Sequence, residues 1–160
     1  MPTLTDPFPA FISFQDAFAA RRLDIQRGRL DSRLRVHYDE PNGMPRFTYV
    51  LLDGRTVTSM VEMVMCDPVE DFPCFNVGYA VDPGYRGRGL AKQLLVSSIA
   101  EMRAGFTGNP PFYVEAIVSV NNVASQHVAA HGITPENVEC TDDASGEACY
   151  QYLKRFTTGR

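Results

Sequence analysis

Between Val77 and Ala91 an apolar strand runs into a turn crowded with glycine and arginine, Gly84-Tyr85-Arg86-Gly87-Arg88-Gly89, and a helix of mostly apolar and small residues starts at Leu90. That order of parts sets bare backbone N–H groups at a helix N-terminus with two guanidinium groups beside them, a corner suited to a phosphorylated ligand. Gly87 and Gly89 carry no Cβ, so their amides can come close to an oxyanion, and Arg86 and Arg88 add positive charge. Two common phosphate-binding patterns do not fit. Gly84 and Gly89 have the spacing of G-x-x-x-x-G-K-[ST], but Leu90 and Ala91 stand where the lysine and the hydroxyl belong. A G-x-G-x-x-G pattern begun at Gly87 meets Lys92 where close helix–strand packing needs a small residue, and no acidic residue follows at the right distance.

Two carboxylates stand inside apolar strand sequences, Glu62 in Met60-Val61-Glu62-Met63-Val64 and Glu115 in Tyr113-Val114-Glu115-Ala116-Ile117. An apolar setting raises a carboxyl pKa toward neutrality, as a general base requires; a solvent-facing strand position is the plainer reading of each. His37, His127 and His131 have no serine or cysteine partner in a motif context, which disfavours a covalent mechanism. Cys66, Cys74, Cys140 and Cys149 show no C-x-x-C spacing and no paired histidine, so no metal site is expected. If Asp143-Ala144-Ser145-Gly146 makes a hairpin turn, Asp142 faces Glu147 and Cys140 faces Cys149. In a reducing compartment those cysteines are expected to remain two small buried apolar side chains. The acidic group Glu139, Asp142, Asp143 and Glu147 reads as a solvated turn.

The elements that must position these residues follow from periodicity. Pro9 to Arg29 reads as a helix with Phe11, Phe14, Phe18 and Leu23 on one side. Leu34 to Tyr38 alternates like a short strand, and Pro41-Asn42-Gly43 is a turn. Phe47 to Asp53 and Thr56 to Cys66 form a hairpin about Asp53-Gly54, and Asp67 to Pro73 is a loop. Phe75 to Val81 is the strand that feeds the glycine turn. In the helix from Leu90, one buried face runs through Leu90, Leu94, Ser98 and Met102, with Ala91, Leu95 and Ile99 alongside. Phe112 to Val120 is a strand and Asn122 an N-cap. Val123 to His131 is a short helix with Gly132 as its C-cap glycine, and Glu136 to Thr141 and Ala148 to Phe156 close a terminal hairpin. Mixed strands with helices on both faces give an α+β, or mixed α/β, layer.

Arg86-x-x-Gly89-x-Ala91 matches the Arg/Gln-x-x-Gly-x-Gly/Ala signature of the GCN5-related N-acetyltransferase (GNAT) family, and Tyr79 to Pro83 resembles the strand that enters it. Val118 to Ser125 is similar to the family's strand-end N-x-x-S/A element, Gly132-Ile133 to the pair that closes the next helix, and Gly146 to Phe156 to its last strand. The resemblance covers 47–156, with a weak match over 1–46. It implies one GNAT domain over 1–160 with a mostly antiparallel central sheet, acetyl-CoA as donor, and direct attack by a primary amine in a ternary complex. By resemblance, the backbone of Tyr79 and Val81 pairs with the pantetheine and faces the thioester carbonyl. Arg86, Gly87, Arg88, Gly89, Leu90 and Ala91 hold the diphosphate. Asn122, with Ser125 three residues on, contacts coenzyme A; the interval to Gly132 is one residue short, so Asn121 stays open. Glu115 and Glu62 are the candidates for the base. The family's usual acid, a tyrosine, falls at Ala129. Protonation of the thiolate then falls to water, Tyr150 or Tyr152, or the chain is a catalytically weak acyl-CoA-binding or sensor module. The missing tyrosine with Asn-x-x-Ser looks like the branch that acetylates ribosomal-protein N-termini. The acceptor implied is a small-molecule or peptide amine, and by resemblance the acidic terminal hairpin lines its side of the cleft.

The chain has 160 residues, 44% hydrophobic and 21% charged, with a net charge of −4. Its acidic balance argues against nucleic acid as a partner. No apolar run approaches the roughly 20 residues that span a bilayer, and the start lacks a basic n-region, so a cytoplasmic location is expected. Between Arg21 and Arg35 six arginines face only Asp24 and Asp31, a segment expected to be a solvated helix face. The oligomeric state, a homodimer included, is not readable from the chain.

Overall fold

A computed structural model describes residues 2–159. The elements are α1 (Phe8–Ala19), β1 (Gln26–Arg27), β2 (Leu34–Asp39), β3 (Arg46–Asp53), β4 (Thr56–Val69), β5 (Phe72–Val81), α2 (Leu90–Gly105), β6 (Phe112–Ser119), α3 (Val123–Gly132), β7 (Val138–Thr141) and β8 (Ala148–Phe156). The strands form one sheet in the order β1-β2-β3-β4-β5-β6-β8-β7. Every neighbouring pair is antiparallel except β5 and β6, which α2 joins as a crossover. The expected mixed, mostly antiparallel sheet is what forms.

Alternation along the strands sends side chains to two cores. Val61, Met63, Phe75, Val77, Val114 and Ala116 pack with Leu94, Leu95, Ile99 and Met102 of α2 and Ala129 of α3. Their neighbours Met60 and Ala80 face the other way and meet Phe11, Phe14 and Phe18 of α1. Helices therefore cover both faces, although α1 covers only the end of the sheet near Val50, Val57 and Met60.

Several expectations need correction. The first helix stops at Ala19 rather than Arg29. Its phenylalanine stripe ends at Phe18, Arg21 turns left-handed with φ 57°, and Leu23 and Ile25 reach the α1 core from extended chain. The arginine-rich stretch is therefore no helix face. Its loop is tied down by the buried Glu101, whose carboxylate accepts the amides of Arg29 (2.8 Å), Leu30 (2.6 Å) and Asp31 (3.0 Å). The segment 67–73 is not a loop: the β4–β5 ladder runs on to Val69 opposite Phe72 and turns at Glu70-Asp71, both with positive φ. Gly132 remains the last residue of α3 instead of capping it, and it is small for another reason. A Cβ there would stand 2.5 Å from Leu95 Cδ2 and 2.7 Å from its Cγ, so it sets the approach of α3 to α2.

The cysteines stand as two cross-strand pairs, Cys66 opposite Cys74 and Cys140 opposite Cys149. The second pair is joined as a disulfide, with Cα atoms 5.0 Å apart, where two separate thiols were expected; the hairpin register brings the sulfurs together.

Replacing Gly132 by Ala is expected to destabilise the protein. Overpacking against Leu95 costs about 1–3 kcal/mol and outweighs the roughly 1 kcal/mol of helix propensity gained. Urea unfolding with an unchanged m value measures the difference; a more stable variant would mean that Leu95 moves aside freely.

Candidate functional site

β5 and β6 pair over three residues only, Cys74 with Tyr113, Phe75 with Val114 and Asn76 with Glu115. Beyond Asn76 the two strands part. β5 stays with β4 as far as Val81 opposite Ser59, and β6 stays with β8 as far as Ser119 opposite Cys149. The opening between Val77–Val81 and Ala116–Ser119 is the floor of a cavity of about 1110 Å³, at the large end of ligand sites. The inner edges of both strands carry backbone N–H and C=O groups without a ladder partner there, so an extended ligand with amide groups can add itself as a strand.

The glycine turn closes one end of this cavity. Gly87 and Gly89 have φ of 78° and 72°, the left-handed conformation that glycine adopts without strain. Gly89 is the N-cap of α2 and offers no side chain to its first turn. Among the described residues, the amides of Arg86 through Lys92 donate no hydrogen bond; the first α2 bond is Gln93 N–H to the Gly89 carbonyl at 3.1 Å. A run of free amides at the positive end of a sixteen-residue helix is an anion cradle. Arg86 borders the cavity, its Nε donating to the Val81 carbonyl at 3.2 Å and its guanidinium lying over the Phe8 ring. Arg88, expected beside it, is not on the cavity wall: it donates to the Gly84 carbonyl and lies over the Tyr85 ring. Lys92, in the first turn of α2, is on the wall instead. The sequence reading used Lys92 only to reject a dinucleotide pattern; its position three residues into the helix was the available signal.

On the opposite wall Asn122 caps α3, its Oδ1 accepting from the Ser125 amide at 3.1 Å. Asn122 and Ser125 border the cavity, and Asn121 does not. The Tyr79 side chain crosses from β5 to α3, where its hydroxyl donates to the Ser125 carbonyl (2.7 Å) and meets Ser125 Oγ (2.6 Å). Burial pushes this phenol up to about 12, so it keeps its proton throughout the neutral range. Sequence reasoning gave Tyr79 a backbone role and overlooked the hydroxyl, because only the fold shows it at the cavity. Ala129 is fully buried in the α2–α3 core. Of the other tyrosines considered, Tyr152 is buried in the same core and Tyr150 packs against it.

Glu62 and Glu115 share the α1 face of the sheet and neither is on the cavity wall. Glu62 is opposite Gly78 in the ladder, and Gly78 does border the cavity. Burial raises the Glu62 carboxyl above the ordinary carboxylate range, against a smaller opposing pull from the Arg46 guanidinium at 3.8 Å. Arg46 itself is engaged by Asp39. Glu115 is held by two amide donors, Asn76 at 3.2 Å and Gln151 at 2.7 Å. The acidic turn is not uniformly solvated. Asp142 is buried, while Glu147 borders the cavity and accepts the Ser119 hydroxyl. Among the described residues no group of His, Cys, Asp or Glu is arranged to hold a metal, and no helix is long and apolar enough to cross a membrane.

A parallel pair splays here beside a turn of free amides, and comparison with known proteins supplies the family. The profile of the acetyltransferase (GNAT) family matches residues 13–133, and the chain belongs to that family. No curated protein sequence matches it. Solved structures share the fold at low identity. A GNAT-family acetyltransferase from Streptococcus pneumoniae aligns with TM-score 0.52 and 14% identity over 69% of this chain and 67% of its own. RimL, a ribosomal L7/L12 alpha-N-protein acetyltransferase in complex with coenzyme A, gives 0.53 and 16% over 71% and 64%. A ribosomal-protein-S5-alanine acetyltransferase from Vibrio fischeri gives 0.51 and 18% over 71% and 62%. The chain thus spans about two thirds or less of the length of these proteins.

Proposed function

We propose that this protein moves an acetyl group from acetyl-CoA to a primary amine by direct attack within a ternary complex. The observation that carries the reading is the run of free amides from Arg86 to Lys92 at the α2 N-terminus, set at one end of the opening between β5 and β6. Gly87, Gly89, Leu90 and Ala91 present backbone N–H groups to the diphosphate, and Arg86 and Lys92 supply charge. The free inner edge of β5, at Tyr79 and Val81, pairs with the pantetheine amides, and Asn122 and Ser125 bound it from the α3 side. Arg88 contributes net positive charge without contact. That RimL was solved with coenzyme A supports the same choice of donor here.

Acetyl-CoA supplies a thioester; the chain must neutralise the amine, stabilise the oxyanion and return a proton to the departing sulfur. A β5 amide faces the carbonyl oxygen where negative charge develops. Glu62 takes the proton from the substrate ammonium, directly or through water, and so frees the neutral amine to attack; burial raises its pKa and makes it a stronger base than an exposed carboxylate. Glu115 is the weaker candidate, since Asn76 and Gln151 already occupy its oxygens. Tyr79 gives its phenolic proton to the thiolate, taking the part that Ala129 cannot. The carbon–sulfur bond breaks as the amide bond forms and the amide nitrogen sheds its remaining extra proton to water; Glu62 then releases its proton to solvent and the Tyr79 phenolate regains one.

Arg86→Ala is expected to weaken coenzyme A binding by about 1–3 kcal/mol, the loss of one charge-assisted contact, as read by calorimetry. Unchanged affinity would remove Arg86 from the site. Thiol release in wild type should rise with pH through the raised Glu62 pKa, because only the ionised carboxylate accepts a proton. Glu62→Gln should abolish that rising limb and lower kcat while coenzyme A affinity holds; a limb that survives the substitution would send the base elsewhere. Tyr79→Phe should lower kcat by about 10²-fold or more with little change in KM for acetyl-CoA, within the usual range of an acid–base group. A wild-type chain that binds coenzyme A and releases no thiol with any amine would instead be an acyl-CoA-binding module.

A further inference from the structure

The segment before α1 is unassigned by everything above, yet it forms part of the cavity. Residues 2–7 run as a strap from the turn between β7 and β8 to the start of α1. At the turn, Asp142 Oδ1 accepts the Leu4 amide at 2.8 Å and the Asp143 amide donates to the Pro2 carbonyl at 3.1 Å. At the helix, Asp6 Oδ1 accepts the Phe8 amide at 3.0 Å and the Pro7 carbonyl accepts the Phe11 amide at 3.0 Å. Asp142 is buried, and its other oxygen takes both the amide and the hydroxyl of Ser145. Its carboxyl lies below the ordinary range, from the Ser145 hydroxyl first and the Leu4 amide next.

Between these ends the strap lies on the α1 face of β5. Pro7 Cβ is 3.2 Å from the place a Cβ on Gly78 would take, so any larger residue at 78 would press on the strap. Leu4 through Phe8 border the cavity there, while Glu62, across the ladder from Gly78, does not. The strap therefore stands where an acceptor must arrive if it is to meet both the β5 edge and Glu62. Its main chain also takes up polar groups of the β7–β8 turn that an incoming polypeptide could otherwise pair with. The Asp143 N–H and the Asp142 carboxylate, a donor and an acceptor in the β7–β8 turn, are already paired to strap main chain. The cavity beside it carries two exposed carboxylates on its walls, Asp6 and Glu147, which suit a protonated amine.

We propose that Pro2–Pro7 is a specificity-determining wall, latched by Asp142, that admits an unbranched primary alkylamine to the acetyl-transfer groove and excludes an amine borne on a polypeptide N-terminus. The inference rests on the acetyl-transfer reading, but its test needs no turnover. Two conjugates of coenzyme A are compared by calorimetry, one joined through sulfur and an acetyl bridge to n-butylamine and one joined likewise to the N-terminus of an alanine tetrapeptide. Wild type should bind the butylamine conjugate at least tenfold more tightly than the peptide conjugate. Asp142→Ala removes the latch, and Leu4→Pro removes the amide it holds while leaving the turn intact; each should reduce that preference to within threefold. Ser145→Ala, which touches the same carboxylate but not the strap, should keep it. Hydrogen exchange at the segment 2–8 should quicken in the first two variants only. Equal affinities in wild type, or a preference unchanged in variants whose strap exchanges freely, overturns the wall alone. Failure of coenzyme A itself to bind overturns the acetyl-transfer reading and the wall with it.

Discussion

The site depends on a pairing that stops. β5 and β6 hold each other for three residues and then separate, while each stays bonded along its far edge to an antiparallel neighbour. That arrangement lets the gap persist: neither strand loses its register, because β4 and β8 fix them independently. The inner edges still carry N–H and C=O groups, and leaving such groups buried and unpaired would cost about 1–3 kcal/mol each. An apolar plug would pay that cost in full. Water or a ligand with its own amide groups avoids it, so the opening selects an extended amide-bearing molecule before any side chain is considered.

The helix that bridges these strands gives the groove its direction. α2 must cross from the end of β5 to the start of β6, and its first turn therefore falls at the open end of the gap. Gly89 starts it without a capping side chain, which would otherwise occupy the amides that a phosphate needs. The contrast with α3 is instructive. There Asn122 caps its own helix through Oδ1, so the second wall offers hydrogen-bonding side chains where the first offers bare backbone. The glycine turn suits anions, and the carboxylates of Asp6 and Glu147 on the cavity wall suit cations.

Much of this was legible because it was local. The glycine turn, the Asp53-Gly54 hairpin, the buried face of α2 and the facing of Cys140 and Cys149 each depend on spacing within a dozen residues. What escaped depends on contacts that spacing does not encode. The helix drawn through Arg29 stops at Ala19, and the chain beyond it is held instead by Glu101, some seventy positions away, which collects three loop amides. Gly132 looked like a cap and proves to be a contact with Leu95. Arg88 leaves the cavity wall and Lys92 joins it, since the Arg88 guanidinium folds back on Tyr85 and the first turn of α2 borders the cavity. Glu62 and Glu115 looked equivalent in sequence, each one charge in an apolar strand. They part company through neighbours on other strands: two amides for Glu115, an arginine already shared with Asp39 for Glu62.

The loss of the usual tyrosine at position 129 bears on how tightly α3 packs. Ala129 is fully buried and Gly132 is in contact range of Leu95, so this stretch of α3 lies close against α2. A tyrosine at 129 would have to enter that core or force the helices apart. The phenol instead arrives from the strand: Tyr79 spans the gap and ends on Ser125, one helical turn before Ala129. Close helix packing and a strand-borne hydroxyl are thus two halves of one solution. In the proposed reaction the acid is a matter of where an O–H can be held, and the Tyr79 hydroxyl is held from the strand side at Ser125.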